Sequence, residues 1–301
     1  MILAAVDAQT LVDAVGLGAV YALMAVGIGL VFGVLRLVNF AYGQLIMAGA
    51  YTLAFTAHWQ VVWSIVACFV VVVALSLVMD RAVFRPLRGA SPAVMLVATF
   101  AIAFMLQAIA QLVDIRDNTI GEIATSIAPL NQPTTLLGVE VRKITIVAVI
   151  VTAIVLGLLA LLLLRTTIGL HMRAAATDFR TARLLGVRAN RVIAFAVLLS
   201  GLLAAIVSVM LTVQFPLVSP DFALKETIVV LVGVVVGGID RLWTATLGGF
   251  AIGFASGVIN GALPTDKTVF LPSAVFALVI LVLLLRPGGV FARRPAVVER
   301  A

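Results

Sequence analysis

Charge is scarce in this chain, and what there is avoids the apolar runs. Charged residues make up 11% of the sequence against 63% hydrophobic, with a mean hydropathy of +1.25, whereas a soluble domain carries roughly a quarter charged residues. An ordinary soluble protein is excluded, and the reading is a polytopic membrane protein. No Asp, Glu, Lys or Arg lies in the interior of a spanning run: Asp80 and Glu226 stand at edges, and His58 and His171 fall at or outside boundaries. A proton-driven carrier couples movement to ionisable groups inside the membrane, so that class is excluded too. The single cysteine, Cys68, sits in an apolar run and offers neither a disulfide framework nor a zinc site; it reads as a small buried hydrophobe. No nucleophile with a base in reach and no pair of histidines one helical turn apart is visible, which argues against a membrane protease. The GxxxxGK[ST] loop is missing as well, so ATP cannot be bound in that way. The expectation is therefore no catalytic residue, no metal and no cofactor, with any energy for uphill transport arriving from another polypeptide. The N-terminal MILAAVDAQTLVD has no basic n-region and carries Asp7 and Asp13, so no cleavable signal peptide is expected.

What is present is a series of apolar runs. A spanning helix needs about 20 residues, each rising about 1.5 Å through a core about 30 Å thick. Residues 11–35, 60–79, 93–113, 144–164 and 192–213 meet that length. Less regular are 44–57, 226–238, 244–263 and 270–285, and the first two of these are too short to cross alone. The fold class is all-α, a single transmembrane domain over 1–301 with eight to nine segments, some broken or short. Nine crossings place the N-terminus outside and eight place it inside; its acids favour outside.

Lysine and arginine total 20 against 13 acids, a net charge of +7, but the positive charge lies in loops and a tail beside apolar runs. That sets it against anionic lipid headgroups rather than nucleic acid. Residues 80–92 carry Arg81, Arg85 and Arg88; residues 165–191 carry six arginines and one acid, Asp178; the tail carries Arg286, Arg293, Arg294 and Arg300. By the positive-inside rule all three regions, the C-terminus included, are expected in the cytoplasm. In 165–191, Met172, Ala175, Phe179 and Ala182 recur at helical spacing with Gly186 one step on, which predicts a short amphipathic helix at the inner membrane face. It serves either as a topology-setting interfacial helix or as a docking helix.

Gly249, Gly253, Gly257 and Gly261 form an unbroken series on one helix face, where backbones can approach closely. The stretches VGIGLVFGVLRLVNFAYGQLIMAGAY and VGVVVGGIDRLWTATLGGFAIGFASG share an order of features: an apolar run ending in glycine, a break holding Arg36 or Arg241, an aromatic, then a small-residue helix. Paired interruptions of this kind point to broken helices lining a central site. Neutral polar residues supply its chemistry: Asn39, Tyr42 and Gln44 at the first break, with Thr99, Gln107, Gln111, Thr227 and Asn260 elsewhere. Each also suits a helix-to-helix hydrogen bond. Together they fit a small zwitterion or amide, its carboxylate facing a helix N-terminus.

Taken in order, GAVYALMAVGIGLVFGVLRLVNFAYGQ, VFRPLRGAS, MRAAATDFRTARLLGVRANRVIA, VGGIDRLWTATLGGFAIG and LVLLLRPGGVFA resemble the permease subunits of bacterial branched-chain amino acid ABC importers, the LivH type, whose relatives also carry amides and urea. The family pattern NFAHGE is matched at Asn39, Phe40, Ala41 and Gly43 and departed from at Tyr42 and Gln44; the later GG-x-GS is matched at Gly237 and Gly238 but not at Asp240 and Arg241. The resemblance implies an inner-membrane permease subunit for branched-chain or other small apolar amino acids, with amides, urea or aromatic acids as the alternative cargo. Against it stand a passive small-amide channel and a membrane-embedded enzyme. It further implies a coupling helix of the EAA-xxx-G type, with Arg180, Thr181, Ala182 and Gly186 at that spacing and Arg173, Phe179 and Arg183 beside them. The implied partners are cytoplasmic ABC ATPase subunits, a second, related permease subunit, a periplasmic solute-binding protein and membrane lipid.

Overall fold

The structure is a computed structural model that describes residues 8–116, 122–123, 127, 131–136, 139–238 and 241–286; the side chains of Phe179, Arg180 and Arg183 lie outside the described residues, as do Asp7, Asp240 and the tail arginines Arg293, Arg294 and Arg300. Its axis is α1 (Ala8–Leu35), a helix apolar on every side, which is the composition of a helix buried all round. Accordingly 83% of its apolar window is inside the protein, against 17% for α6 (Lys143–Arg165), which borders it on one side only.

Against α1 pack α11 (Leu242–Ala262), α9 (Ala189–Gln214), α6 and the short α10 (Leu224–Gly237). The contact with α11 is set by small residues. A methyl added at Gly249 would lie 2.8 Å from the Tyr21 carbonyl oxygen, at Gly253 2.8 Å from Gly18 Cα, at Gly257 2.5 Å from Ala14 Cα, and at Gly261 2.8 Å from Thr10 Oγ1. The partner numbers fall as the glycine numbers rise, so the two helices run antiparallel with their backbones nearly touching. In lipid, where apolar surface gains nothing by leaving the solvent, such close van der Waals contact is a main source of helix association. By the same reasoning α6 runs parallel to α1: Thr145 meets Asp13, and the Thr152 hydroxyl donates to the Ala19 carbonyl at 3.2 Å.

α2 (Tyr42–Phe55) is packed between α3 (Val61–Met79) and α9. α3 continues through a π-helical turn, Asp80–Phe84, into α4 (Arg85–Leu87). Outside these lie α5 (Pro92–Arg116) and α12 (Leu271–Leu285), the latter entered through a 3-10 turn, Thr265–Phe270. Every apolar run read from the sequence is helical. Among the described residues six helices are long and apolar enough to cross a membrane, while α12 is shorter and α2 and α10 have 14 residues each, so the chain is an all-α polytopic membrane protein.

One end carries short strands: β1 (Glu122–Ile123) pairs antiparallel with β4 (Leu217–Val218), and β2 (Pro133–Leu136) with β3 (Val139–Arg142). The other end carries α7 (Thr167–Thr177) and α8 (Phe179–Leu184). The sequence expectation of one amphipathic helix through Met172 to Gly186 is corrected here, because the helix breaks at Asp178. That residue is extended, and its carboxylate takes the Thr181 amide at 3.1 Å and the Thr181 hydroxyl at 2.5 Å, an N-cap that starts a new helix.

Candidate functional site

Two helix breaks dominate the interior. At the first, α1 stops at Arg36, whose φ of 55° is the left-handed conformation that ends helices; its amide donates to the Phe32 carbonyl at 2.8 Å, closing the last turn. The chain returns through residues 37–41 and begins α2 inside the protein. Asn39 organises that start, its Oδ1 accepting from the Ala41 amide at 3.1 Å and its carbonyl from the Tyr42 amide at 3.3 Å. The Phe40 amide donates to Thr99 Oγ1 of α5 at 3.4 Å, and the Phe40 ring stacks on Phe100 at 4.0 Å between centroids. The amides of Arg36, Phe40, Ala41 and Tyr42 are thereby partnered, as a hydrocarbon setting demands.

At the second break α10 ends at Gly238, with φ of 103°, and α11 begins at Leu242. Here α10 folds back closely along α11, a methyl at Gly233 falling 3.1 Å from the Gly248 carbonyl oxygen and 3.2 Å from Ile252 Cγ2. The two short helices meet by their first turns: a methyl at Gly43 would lie 2.5 Å from Thr227 Oγ1 and 3.0 Å from the Ala223 carbonyl oxygen. From that meeting they run in opposite senses. α2 goes toward the strands, where the Tyr51 hydroxyl donates to the Asp114 carboxylate at 2.9 Å; α10 goes toward Leu242, which packs on Gly29. Two N-termini, each carrying about half a positive charge from its aligned peptides, therefore abut inside the protein.

The predicted pathway residues separate on this geometry. Asn39, Tyr42 and Gln44 are buried together at the first break, at 2%, 0% and 1% exposure. The Tyr42 ring fills a notch opposite Gly27, where a methyl would meet its Cζ at 2.5 Å. Gln44 Oε1 and the Tyr42 hydroxyl are buried with no hydrogen-bond partner. Gln107 is half-buried on α5, and Asn260 is exposed beside Gly261 at the strand-bearing end of α11, so the structure does not bring Asn260 to the break.

At the opposite end α7 and α8 present a different surface from the one the stripe implied. Met172, Ala175 and Ala182 are buried within the chain itself, at 3%, 4% and 4%, so the stripe faces the helix ends and not outward. Arg173 is exposed. α8 closes on Gly186, whose φ of 89° allows the Val187 amide to reach the Ala182 carbonyl at 3.1 Å, the helix-terminating bond that a left-handed residue makes possible. Leu184 and Leu185 at this tip are 83% and 81% exposed. Sequence reading passed over them because two leucines in an apolar chain carry no signal until their exposure is known. It also passed over the Asp80 and Arg88 ion pair, 2.7 Å, whose arginine also bonds Asn190 and so ties α3 to the start of α9. Ser200 and Ser208, which donate to the Gly27 and Ile46 carbonyls at 2.8 and 2.9 Å, were passed over as well, although their helical spacing on one small-residue face was a signal that could have found them.

Residues 10–285 match the model of the family described as branched-chain amino acid transport system / permease component. Among curated relatives, the high-affinity branched-chain amino acid transport system permease protein BraD of Pseudomonas aeruginosa is 29% identical over 95% of each chain. LivH of Escherichia coli, of the same description, is 26% identical over 95% of each. A probable branched-chain amino acid transport permease protein LivH of Methanocaldococcus jannaschii is 28% identical over 89% of this chain and 87% of its own. A solved structure, PsaBC from Streptococcus pneumoniae in complex with Fab, is alike at a TM-score of 0.49 and 12% identity, covering 93% of this chain and 91% of that one.

Proposed function

Because the chain belongs to the permease component family of branched-chain amino acid transport systems, we propose that it forms half of the translocation pathway of an ATP-driven importer for branched-chain or other small apolar amino acids. The observation that carries the pathway reading is the meeting of α2 and α10 by their first turns beside the buried, unpartnered Gln44 Oε1. A zwitterion moving past that point finds what its two charges need: positive helix ends for the carboxylate and a carbonyl acceptor for the ammonium. The residues assigned to the pathway are Asn39, which holds the break open, and Gln44, which touches the solute; Gln107 lies on the neighbouring α5.

No ATP-binding loop occurs in the sequence, so hydrolysis belongs to a separate cytoplasmic ATPase. Its docking surface is the α7–α8 end, where Leu184 and Leu185 stand exposed beyond the membrane-spanning helices and a partner would cover them. A related second permease chain completes the pathway, both permease chains lying in the bacterial inner membrane, and a periplasmic binding protein delivers solute at the end bearing the strands. Deletion of the gene should abolish uptake of radiolabelled leucine, isoleucine or valine and leave urea and acetamide uptake intact. Restoration by a plasmid copy completes the test. Unchanged uptake of all three amino acids, with loss of amide or urea uptake instead, would overturn the assignment of cargo.

A further inference from the structure

Among the described residues three positions hold the left-handed backbone that ends helices: Gly238 after α10, Gly186 after α8 and Arg36 after α1. Glycine takes that conformation without steric penalty, while a residue with a Cβ does so at a cost. Two of the three positions therefore carry the residue expected of them, and the third does not. A side chain kept where glycine would sit more easily points to a use for that side chain. The Arg36 guanidinium donates to the carbonyl of Ala176, 140 residues along the chain. Ala176 is the last residue but one of α7, and the final carbonyls of a helix have no partner within it. Arg36 thus caps α7 from outside, placing a cation at the negative end of that helix. A guanidinium has five N–H donors, so this bond is compatible with others.

We propose that Arg36 is a positioning residue for transport, a strut that carries movement of the ATPase-docking end to the first helix break. Its two ends define the role. On one side Asp178 follows directly after α7 in extended conformation and caps α8, whose tip exposes Leu184 and Leu185. On the other side the backbone of Arg36 runs straight into the break at Asn39 and on to Gln44 in the first turn of α2. A push on α8 reaches α7 through the Asp178 elbow, and α7 holds Arg36 by a terminal carbonyl. Met172 and Ala175 also anchor α7, but apolar contacts can slide, whereas a hydrogen bond from a guanidinium is charge-assisted and directional. The coupling role rests on the importer reading; the bond itself does not.

The test uses Arg36→Gly, which removes the side chain and suits the backbone, so the variant should fold and melt at or above the wild-type temperature. Hydrogen exchange of the full chain in detergent should show residues 174–182 opening about fivefold more often, the loss of one hydrogen bond, with α9 unchanged. Arg36→Lys, which can still donate to a carbonyl, should recover part of that protection. Arg165→Gln, at an exposed arginine of the same end, should change nothing. In proteoliposomes with the ATPase, the second permease chain and the binding protein, Arg36→Gly should retain the ATPase but import severalfold less leucine for each ATP hydrolysed. A smaller amount of folded protein does not move that ratio. Unchanged exchange over 174–182, a rise spread equally over α9, or an equal rise in Arg165→Gln would overturn the strut. Faster exchange with the wild-type ratio of leucine to ATP would overturn its part in coupling. A wild-type complex that imports no amino acid would instead overturn the importer reading, with the exchange experiment still judging the strut.

Discussion

Tyr42 and Gln44 sit two residues apart in the first turn of α2, are equally buried, and both end in a polar atom with no partner. Their surroundings separate them. The Tyr42 ring occupies the space left by Gly27, so its mass is used in packing α2 onto α1, and adding a methyl at Gly27 would drive the ring out. Gln44 has no such glycine opposite it, and its amide oxygen is an acceptor kept in the interior at a cost of about 1–3 kcal/mol. If that oxygen had no task, replacing the side chain with a thioether of similar length would be neutral or stabilising. Gln44→Met should therefore hold or raise the melting temperature in detergent while the KM for leucine uptake rises by roughly tenfold, the loss of about 1.4 kcal/mol of solute contact. A variant with normal uptake kinetics at wild-type membrane levels would remove Gln44 from the pathway. Asn39 answers differently, because its Oδ1 is committed to the Ala41 amide; Asn39→Leu should lower both stability and transport, and so cannot separate the two roles alone.

At the scale of elements, the glycine face of α11 and the tip of α8 make opposite demands on neighbouring surfaces. Gly253 lies against Gly18 and Tyr21 of α1, whereas Gly157 of α6 has open space where a side chain would go. Gly253→Leu should then lower the yield of folded protein and cost more than the 1–3 kcal/mol of ordinary overpacking, with Gly157→Leu close to neutral; equal yields and melting temperatures for the two variants would remove the close contact. The series was legible in the sequence because a fourfold repeat defines one helix face, and the helices were legible because each is an uninterrupted apolar run. What α11 packs against was not legible, since α1 is apolar all round and shows no preferred side. Nor was the direction of the α7–α8 stripe: Met172, Ala175 and Ala182 mark a buried face, but spacing alone cannot say whether the chain or a partner buries it. Asp178 breaks the helix within that stripe, and an acid at helical spacing looks the same whether it decorates a helix or caps the next one. With Ala182 already inside, the proposed docking surface rests on the exposed Leu184 and Leu185. Burying one leucine is worth about 1.5–3 kcal/mol, so Leu185→Glu should weaken co-purification of the ATPase by at least roughly tenfold and depress stimulated ATP hydrolysis with uptake. Docking of the binding protein, at the far end, should survive. Full retention of the ATPase by Leu185→Glu would return α8 to a topology-setting interfacial role.

For the whole molecule, the helix directions gather charge in a way that no single loop shows. α1 and α6 run parallel and α11 runs against them, so the end of α1 at Arg36, the end of α6 at Arg165, α7, and the start of α11 at Arg241 share one end. The Arg88 bond to Asn190 brings the end of α4 to the start of α9 at that same end. The basic residues of 80–92 and 165–191 and both break arginines are thereby on one side, whereas Lys143 and Lys267 stand at the other beside the strands and the acids Asp13 and Asp114. The expectation from the positive-inside bias is that the α7–α8 end faces the cytoplasm and that α1, starting from the opposite end, begins outside. In a Cys68→Ser background, Arg85→Cys and Arg241→Cys should be protected from a membrane-impermeant thiol reagent added to the periplasmic face and should label after the membrane is opened. Lys143→Cys and Lys267→Cys, both exposed, should label from outside. The four positions are read together because the packing links them: the direct contacts between α1, α6 and α11 allow no arrangement in which Arg241 and Lys143 are on the same side. Labelling of Arg85→Cys from outside with Lys143→Cys protected would invert the chain and carry the ATPase-docking surface to the wrong face, while labelling of all four from outside would break the packing of α11 on α1 itself.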